Sequence, residues 1–172
     1  MNTEKGEIRI YVACLAAYNN GNLHGSWIDA DQDAGEIHKC ITKMLGSSPI
    51  EGAEEYAIHD YEGFEGVSLG EYTSIDYVAD LAAFISEHGM LGGELINLLG
   101  DQEEAQHAIE DRYYGQFRSV AEFAEELTEQ TMEIPKSLQF YIDYEKMARD
   151  LEINDILAIE TGFEEVHIFW QH

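Results

Sequence analysis

Several short strings in this 172-residue chain have residue types that do chemistry, and each lacks a part that the chemistry needs. Gly66-Val67-Ser68-Leu69-Gly70 has the spacing of a nucleophile elbow. An elbow requires a strand before it, a helix after it, and a downstream Asp and His on a large sheet. A glycine-rich loop precedes Ser68, so a plain turn is expected. Asp29-Ala30-Asp31-Gln32-Asp33 resembles the opening of a calcium loop, which wants Gly at position six and Glu at position twelve. Those positions hold Ala34 and Cys40. A group of Asp residues opening a helix, favourable with its dipole, is the better expectation. His38 and Cys40 stand two apart, but no HExxH string or zinc spacing accompanies them. His59 reads as a core or edge residue of a strand. No glycine-rich loop with a Lys is present to cradle phosphate. Among 35 carboxylates some pair always falls at glycosidase separation, so a hydrolase reading has no specificity. No catalytic residue, metal or cofactor is therefore expected.

The carboxylates matter as a population. Lys plus Arg number 9 against 35 Asp plus Glu, a formal net charge of −26. The imbalance is local. Residues 1–43 carry a net −2 and residues 112–172 a net −8, whereas residues 44–111 hold 16 acids and no Lys or Arg. Folding gains nothing from this, because self-repulsion destabilises a compact state. Solubility asks for a net charge magnitude of only about 2–8 in a small domain. Salt adaptation would explain general acidity but not a base-free middle.

This balance excludes a direct nucleic-acid binder, which neutralises phosphates with Lys and Arg. It also disfavours a protein seated on anionic membrane. No 18-residue apolar stretch occurs, and Met1–Gly6 leads into no signal-peptide core, so a soluble cytoplasmic protein is expected. Two cysteines, Cys14 and Cys40, make neither a disulfide framework nor a zinc ribbon. At 45% hydrophobic residues the chain is long and apolar enough to fold rather than remain an acidic tail. In charge alone, 26 negative groups equal roughly 13 base pairs, about 44 Å of duplex.

The elements that carry these charges read as α+β. Ile8–Cys14 alternates as a strand, Asn19–Asn22 signals a turn, and Leu23–Asp29 is the return strand. A helix follows over about 33–45, with Ile37, Ile41, Met44 and Leu45 on one face. Glu55–Tyr61 is a third strand. After Gly63, Gly66 and Gly70 the pattern becomes helical. Ser74 caps a helix over about 75–88 with Val78, Leu81, Ala82 and Ile85 inward. Leu91–Leu99 is short and apolar. Capping boxes at Asp101–Glu104 and Ser119–Glu122 open two more helices, the first to about Arg112. The second turns Val120, Phe123, Ala124 and Leu127 inward and Glu122, Glu125, Glu126 and Glu129 outward. Beyond Pro135 come a helix over Asp143–Glu152 and two strands, 156–160 and 166–170. Three modules in series are expected: 1–66 strand-rich, 67–112 acidic and helical, and 113–172 mixed.

Three strings carry a family resemblance. They are Glu55–Tyr61 (EYAIHDY), the Asn19-Asn20-Gly21 turn with Gly25-Ser26-Trp27, and Tyr141–Leu151 (YIDYEKMARDL) followed by Asn154-Asp155. With them the chain resembles the ArdA antirestriction family from Ile10 to Trp170. The resemblance implies a protein encoded on mobile genetic elements, an elongated curved homodimer of three small modules that mimics bent B-DNA. It implies occupation of the DNA-binding groove of type I restriction–modification enzymes, on the specificity and methyltransferase subunits, without catalysis. On that reading the carboxylates that stand in for phosphates are Glu62, Glu65, Glu71, Asp76, Asp80, Glu87, Glu94, Asp101, Glu103, Glu104, Glu110, Asp111, Glu122, Glu125, Glu126 and Glu129. The expected dimer contact is the aromatic group Tyr113, Tyr114, Phe117 and Phe123. An acidic mimic aimed at another DNA-binding protein, or a metal-dependent enzyme, are the alternatives. The nearly neutral residues 1–43 are expected to serve as scaffold more than mimic.

Overall fold

A computed structural model describes residues 7–172; the Met1–Gly6 stretch discussed above lies outside them. The architecture is α+β, with two three-stranded antiparallel sheets and helices around them. The chain divides into two compact units, one ending at Leu98 and the other spanning Leu99–His172. That boundary falls inside the 67–112 segment.

In the first unit, β1 (Arg9–Cys14) lies between β2 (Gly25–Asp29) and β3 (Tyr56–Glu62). Ile10 sits opposite Ile28 on one side and Tyr61 on the other, and Ile10, Val12 and Cys14 are fully buried. The alternation seen in the sequence is the pleat of this central strand. The link from β1 to β2 differs from a simple hairpin turn. Leu15–Asn19 forms a short helix, α1, and the Asn-Gly signal closes it. Gly21 takes φ +78°, its N–H bonds the Tyr18 carbonyl, and the Asn22 N–H bonds that of Ala17. That pair of bonds is a Schellman closure, which asks for glycine in the left-handed region just as a hairpin turn does.

Helix α2 (Ala34–Gly46) buries Ile37, Ile41 and Met44, the stripe read from the sequence. The run α3 (Ile75–Leu99) is two helices, broken at Gly89 with φ +59° and ψ −140°. Ser74 Oγ accepts from the Tyr77 N–H and caps the first half. Val78, Leu81, Ala82 and Ile85 are all buried. In the second half a Cβ on Gly93 would collide with the backbone carbonyl of Glu65. Glycine there lets the 63–66 loop lie against the helix, where Asn97 Nδ2 donates to the Gly66 carbonyl at 3.2 Å.

The second unit opens with α4 (Gln102–His107), capped by Asp101, which accepts from the Glu104 N–H. A π turn over Ala108–Arg112 follows. Tyr113–Phe117 then forms β4, a strand not anticipated from the sequence, where these residues stood only as an aromatic group. It pairs with β6 (Glu165–Trp170), which also pairs with β5 (Ile156–Gly162), giving the order β4-β6-β5. Between them, α5 (Val120–Thr131) is capped by Ser119 and α6 (Tyr144–Asn154) by Asp143. Phe123, Ile156, Val166 and Ile168 form the core of this unit. Among the described residues no helix is long and apolar enough to cross a membrane.

Candidate functional site

The strings that open the sequence form no reactive arrangement. Ser68 is exposed in the loop after β3. Asp29 Oδ1 accepts from the Asp31 N–H, the Gln32 amide donates to the Asp29 carbonyl, and Asp33 ends the turn at the start of α2. Among the described residues no three His, Cys, Asp or Glu side chains converge on a point that would hold a metal. His38 and Cys40 are exposed on α2, and the His59 ring stands edge-on to Tyr18 at 4.9 Å.

The carboxylates are placed differently. Of the sixteen named above, fifteen are exposed and Glu122 is half-buried. Helical spacing produces this. On α3 the apolar residues take the inner face, so Asp76, Asp80, Glu87 and Glu94 are left outside. Ala105 and Ala108 turn inward next to Glu103, Glu104, Glu110 and Asp111. Phe123, Ala124 and Thr128 do the same beside Glu125, Glu126 and Glu129.

Some of these acids have local work. Asp101 is an N-cap. Asp76, Glu103, Glu104 and Glu122 stand in first helical turns, where negative charge is favourable. Glu122 also accepts from the Arg118 N–H at 2.7 Å and pairs with the Arg118 guanidinium, while its own N–H bonds Ser119 Oγ. Glu62 pairs with Arg9. Others have no such role. Glu129 lies in the last turn of α5, at the negative end of the dipole, with no basic residue there to offset it. Glu125 and Glu129 are one turn apart, a like-charge spacing that costs a few tenths of a kcal/mol. Within residues 44–111 no Lys or Arg exists to pair with its helical neighbours. Within α5, Glu125 and Glu129 thus carry a cost that no basic neighbour in the helix offsets.

The aromatic group falls into two parts. Phe123 is fully buried, with the rings of Tyr114, Phe117 and Trp170 at 5.1, 5.3 and 5.9 Å. Tyr114 donates its hydroxyl to Gln130 at 3.2 Å. Tyr113 is 42% exposed, and its hydroxyl lies 2.8 Å from Nδ1 of His167. So Tyr113 presents surface, and the other three pack inside their own unit. Further exposed apolar residues of this unit are Met132, Leu138, Phe140 and Tyr141, the last two almost wholly exposed. Pro135 and the absence of helical periodicity around them were the available signal.

Burial pushes the Tyr113 hydroxyl up and pulls His167 below the ordinary imidazole value, with Glu165 acting the other way. A folded-state value below the unfolded one means that the folded chain binds fewer protons between the two. Stability from this group is full above about pH 6.5 and is lost as pH falls through the imidazole range. The expected result is a urea midpoint that drops from pH 7.5 to 5.5, with a smaller drop in His167→Gln. Equal drops in the two proteins would remove His167 as the cause.

Two comparisons bear on this arrangement. The family model described as Antirestriction protein (ArdA) matches residues 10–165. An uncharacterized protein of Methanocaldococcus jannaschii, MJ1051, is 27% identical over 106 residues, 59% of this chain and 20% of that protein. The chain thus spans about a fifth of the length of that relative.

Proposed function

Because the chain belongs to the ArdA antirestriction family, we propose that it blocks restriction by standing in for B-DNA in the DNA-binding groove of a type I restriction–modification enzyme. The partner surfaces are the specificity and methyltransferase subunits, and modification is blocked along with cleavage. No bond is made or broken; inhibition is competitive occupation in the cytoplasm. The observation that carries the reading is the outward placement of fifteen of the sixteen carboxylates in a chain whose residues 44–111 hold no base. The three modules 1–66, 67–112 and 113–172 belong to this proposal as the units that lay the charges in series. Binding releases counterions from the enzyme's Lys and Arg, so affinity falls steeply with salt. Complementary fields speed the encounter.

The test is a titration of the protein into a type I enzyme with unmodified DNA at 50 and 200 mM salt. Cleavage is expected to stop near stoichiometric inhibitor at the lower salt, and the inhibition constant to rise by about a thousandfold at the higher one if six or more phosphate-like contacts form. A folded sample that inhibits at neither salt would overturn the type I target. Binding to basic DNA-binding proteins in general would move the reading to a mimic of broader aim.

A homodimer doubles the acidic track to about 26 base-pair equivalents and gives it a two-fold axis suited to a bipartite target. The contact is built around β4, with Tyr113 as the member that offers surface and Tyr114, Phe117 and Phe123 as the packing behind it. Tyr113→Asp should then sediment as a folded monomer. A folded dimer of that variant would dismiss the assignment.

A further inference from the structure

A groove of about 390 Å³ in the second unit lies between α5 and the segment that links it to α6. We propose that it seats a Lys or Arg side chain from an apolar stretch of the restriction enzyme's surface, and that Phe140 anchors this contact. The inference rests on the antirestriction reading and adds to it: besides charges laid out as phosphates are, the chain has an apolar hold on its partner.

The groove is apolar and aromatic along most of its lining, which Met132, Ile134, Phe140 and Tyr144 supply. Glu125 and Glu129 come from α5. The Phe140 ring is 94% exposed and forgoes the burial that Phe123 obtains in the same unit. Single apolar side chains scattered over a surface are ordinary. Phe140 is not single: Met132, Leu138 and Tyr141 are each more than half exposed within residues 132–141. Apolar side chains gathered at a surface and rimmed by polar residues mark an interaction site.

Charge identifies the occupant. Residues 120–135 hold five acids and no base. Among the described residues neither Glu125 nor Glu129 has an ion-pair partner, and the exposed Lys136 pairs with neither. Their field reaches Tyr144 in the same lining: burial first, then Glu125 and Glu129, push the Tyr144 hydroxyl up. A Lys or Arg side chain matches such a lining along its length. Its methylene stem packs on Met132 and Ile134 while its charged head reaches Glu125 and Glu129. The face of the Phe140 ring attracts the same cation. A second copy of this chain fits less well, because it brings a net charge of −26 toward the same two acids. A DNA-binding groove, rich in Lys and Arg, supplies the complementary sign.

The test compares variants in the titration against a type I enzyme and unmodified DNA at 50 and 200 mM salt. Phe140→Ala is expected to weaken inhibition by about thirtyfold, the size of an aromatic hot spot. Its salt dependence should stay as in the wild type, because no charge is lost. Glu125→Gln with Glu129→Gln should instead weaken inhibition and flatten the salt slope by nearly two, about 0.9 for each contact. Phe163→Ala is the control: Phe163 is 90% exposed at the turn between β5 and β6 and does not line the groove, so inhibition should not change. All these side chains are exposed, and a urea midpoint read beside each inhibition constant shows that the fold is kept. Undiminished inhibition by Phe140→Ala would overturn the anchor and leave the antirestriction reading standing; a folded wild type that does not inhibit would overturn both. Equal losses in Phe140→Ala and Phe163→Ala would show unspecific apolar contact. A wild-type dimer that Phe140→Ala converts to a monomer in sedimentation would put a second copy in the groove. Either result overturns the proposal.

Discussion

Replacing Glu125, Glu126 and Glu129 together by lysine is expected to cost at least about a hundredfold in inhibition of the restriction enzyme, while leaving α5 as stable as before or more so. The two effects have opposite signs, and that separates function from folding. Like charges brought together across an interface cost several kcal/mol, and about 2.7 kcal/mol is already a hundredfold. On the folding side, the three carboxylates are exposed and none is a cap. A lysine at 129 sits at the negative end of the helix dipole, where a cation is favourable by a few tenths of a kcal/mol or more. Glu122 is left in place because it accepts from the Arg118 N–H just before the Ser119 cap and pairs with the Arg118 guanidinium, so changing it would mix a folding loss into the result. Inhibition at two salt concentrations and a urea melt are the measurements. The salt dependence should flatten by nearly three logarithmic units per unit log salt, about 0.9 for each phosphate-like contact removed. A single Glu125→Ala change should alter inhibition only a few-fold, because the contact is distributed. Undiminished inhibition by the triple variant would take α5 out of the mimicking surface.

The elements that carry charge were legible because each has a local cause. Ser74, Asp101, Ser119 and Asp143 cap the helices that follow them. The apolar residues at helical spacing in α2, α3 and α5 turn inward, which fixes the acids as outward by default. What was not legible depends on contacts between distant residues. Tyr113–Phe117 is a strand only because β6, some fifty residues later, pairs with it; its central Gly115 and the nearby register shift blur the alternation. The short helix α1 is not legible because the Asn-Gly signal closes a helix and a hairpin alike. Exposure of a carboxylate can be inferred from periodicity; the pairing of strands far apart in the sequence cannot.

Truncating Phe123 to alanine should unfold the second unit and spare the first. Phe123 is a fully buried aromatic at the centre of that unit's core, ringed by Tyr114, Phe117 and Trp170, with Ile156, Val166 and Ile168 in the same cluster. It joins α5 to the β4-β6-β5 sheet. Removing a buried Phe side chain costs about 3–5 kcal/mol, a large share of the roughly 5–15 kcal/mol that holds a typical domain together. The loss is at the upper end here because aromatic neighbours at fixed edge-to-face angles cannot collapse into the space without losing their own contacts. Trp170 lies 5.9 Å from Phe123 and reports the second unit; Trp27, paired edge-on with Tyr11, reports the first. The expected trace is a Trp170 transition shifted to much lower urea with the Trp27 transition near its original midpoint. Simultaneous collapse of both would show that the two units fold as one. Phe123→Leu keeps most of the volume and should lose less than half as much. Inhibition should follow the Trp170 signal in both variants, although neither removes a carboxylate. Charges on α5 act on a partner only while the aromatic core behind them holds that helix to its sheet.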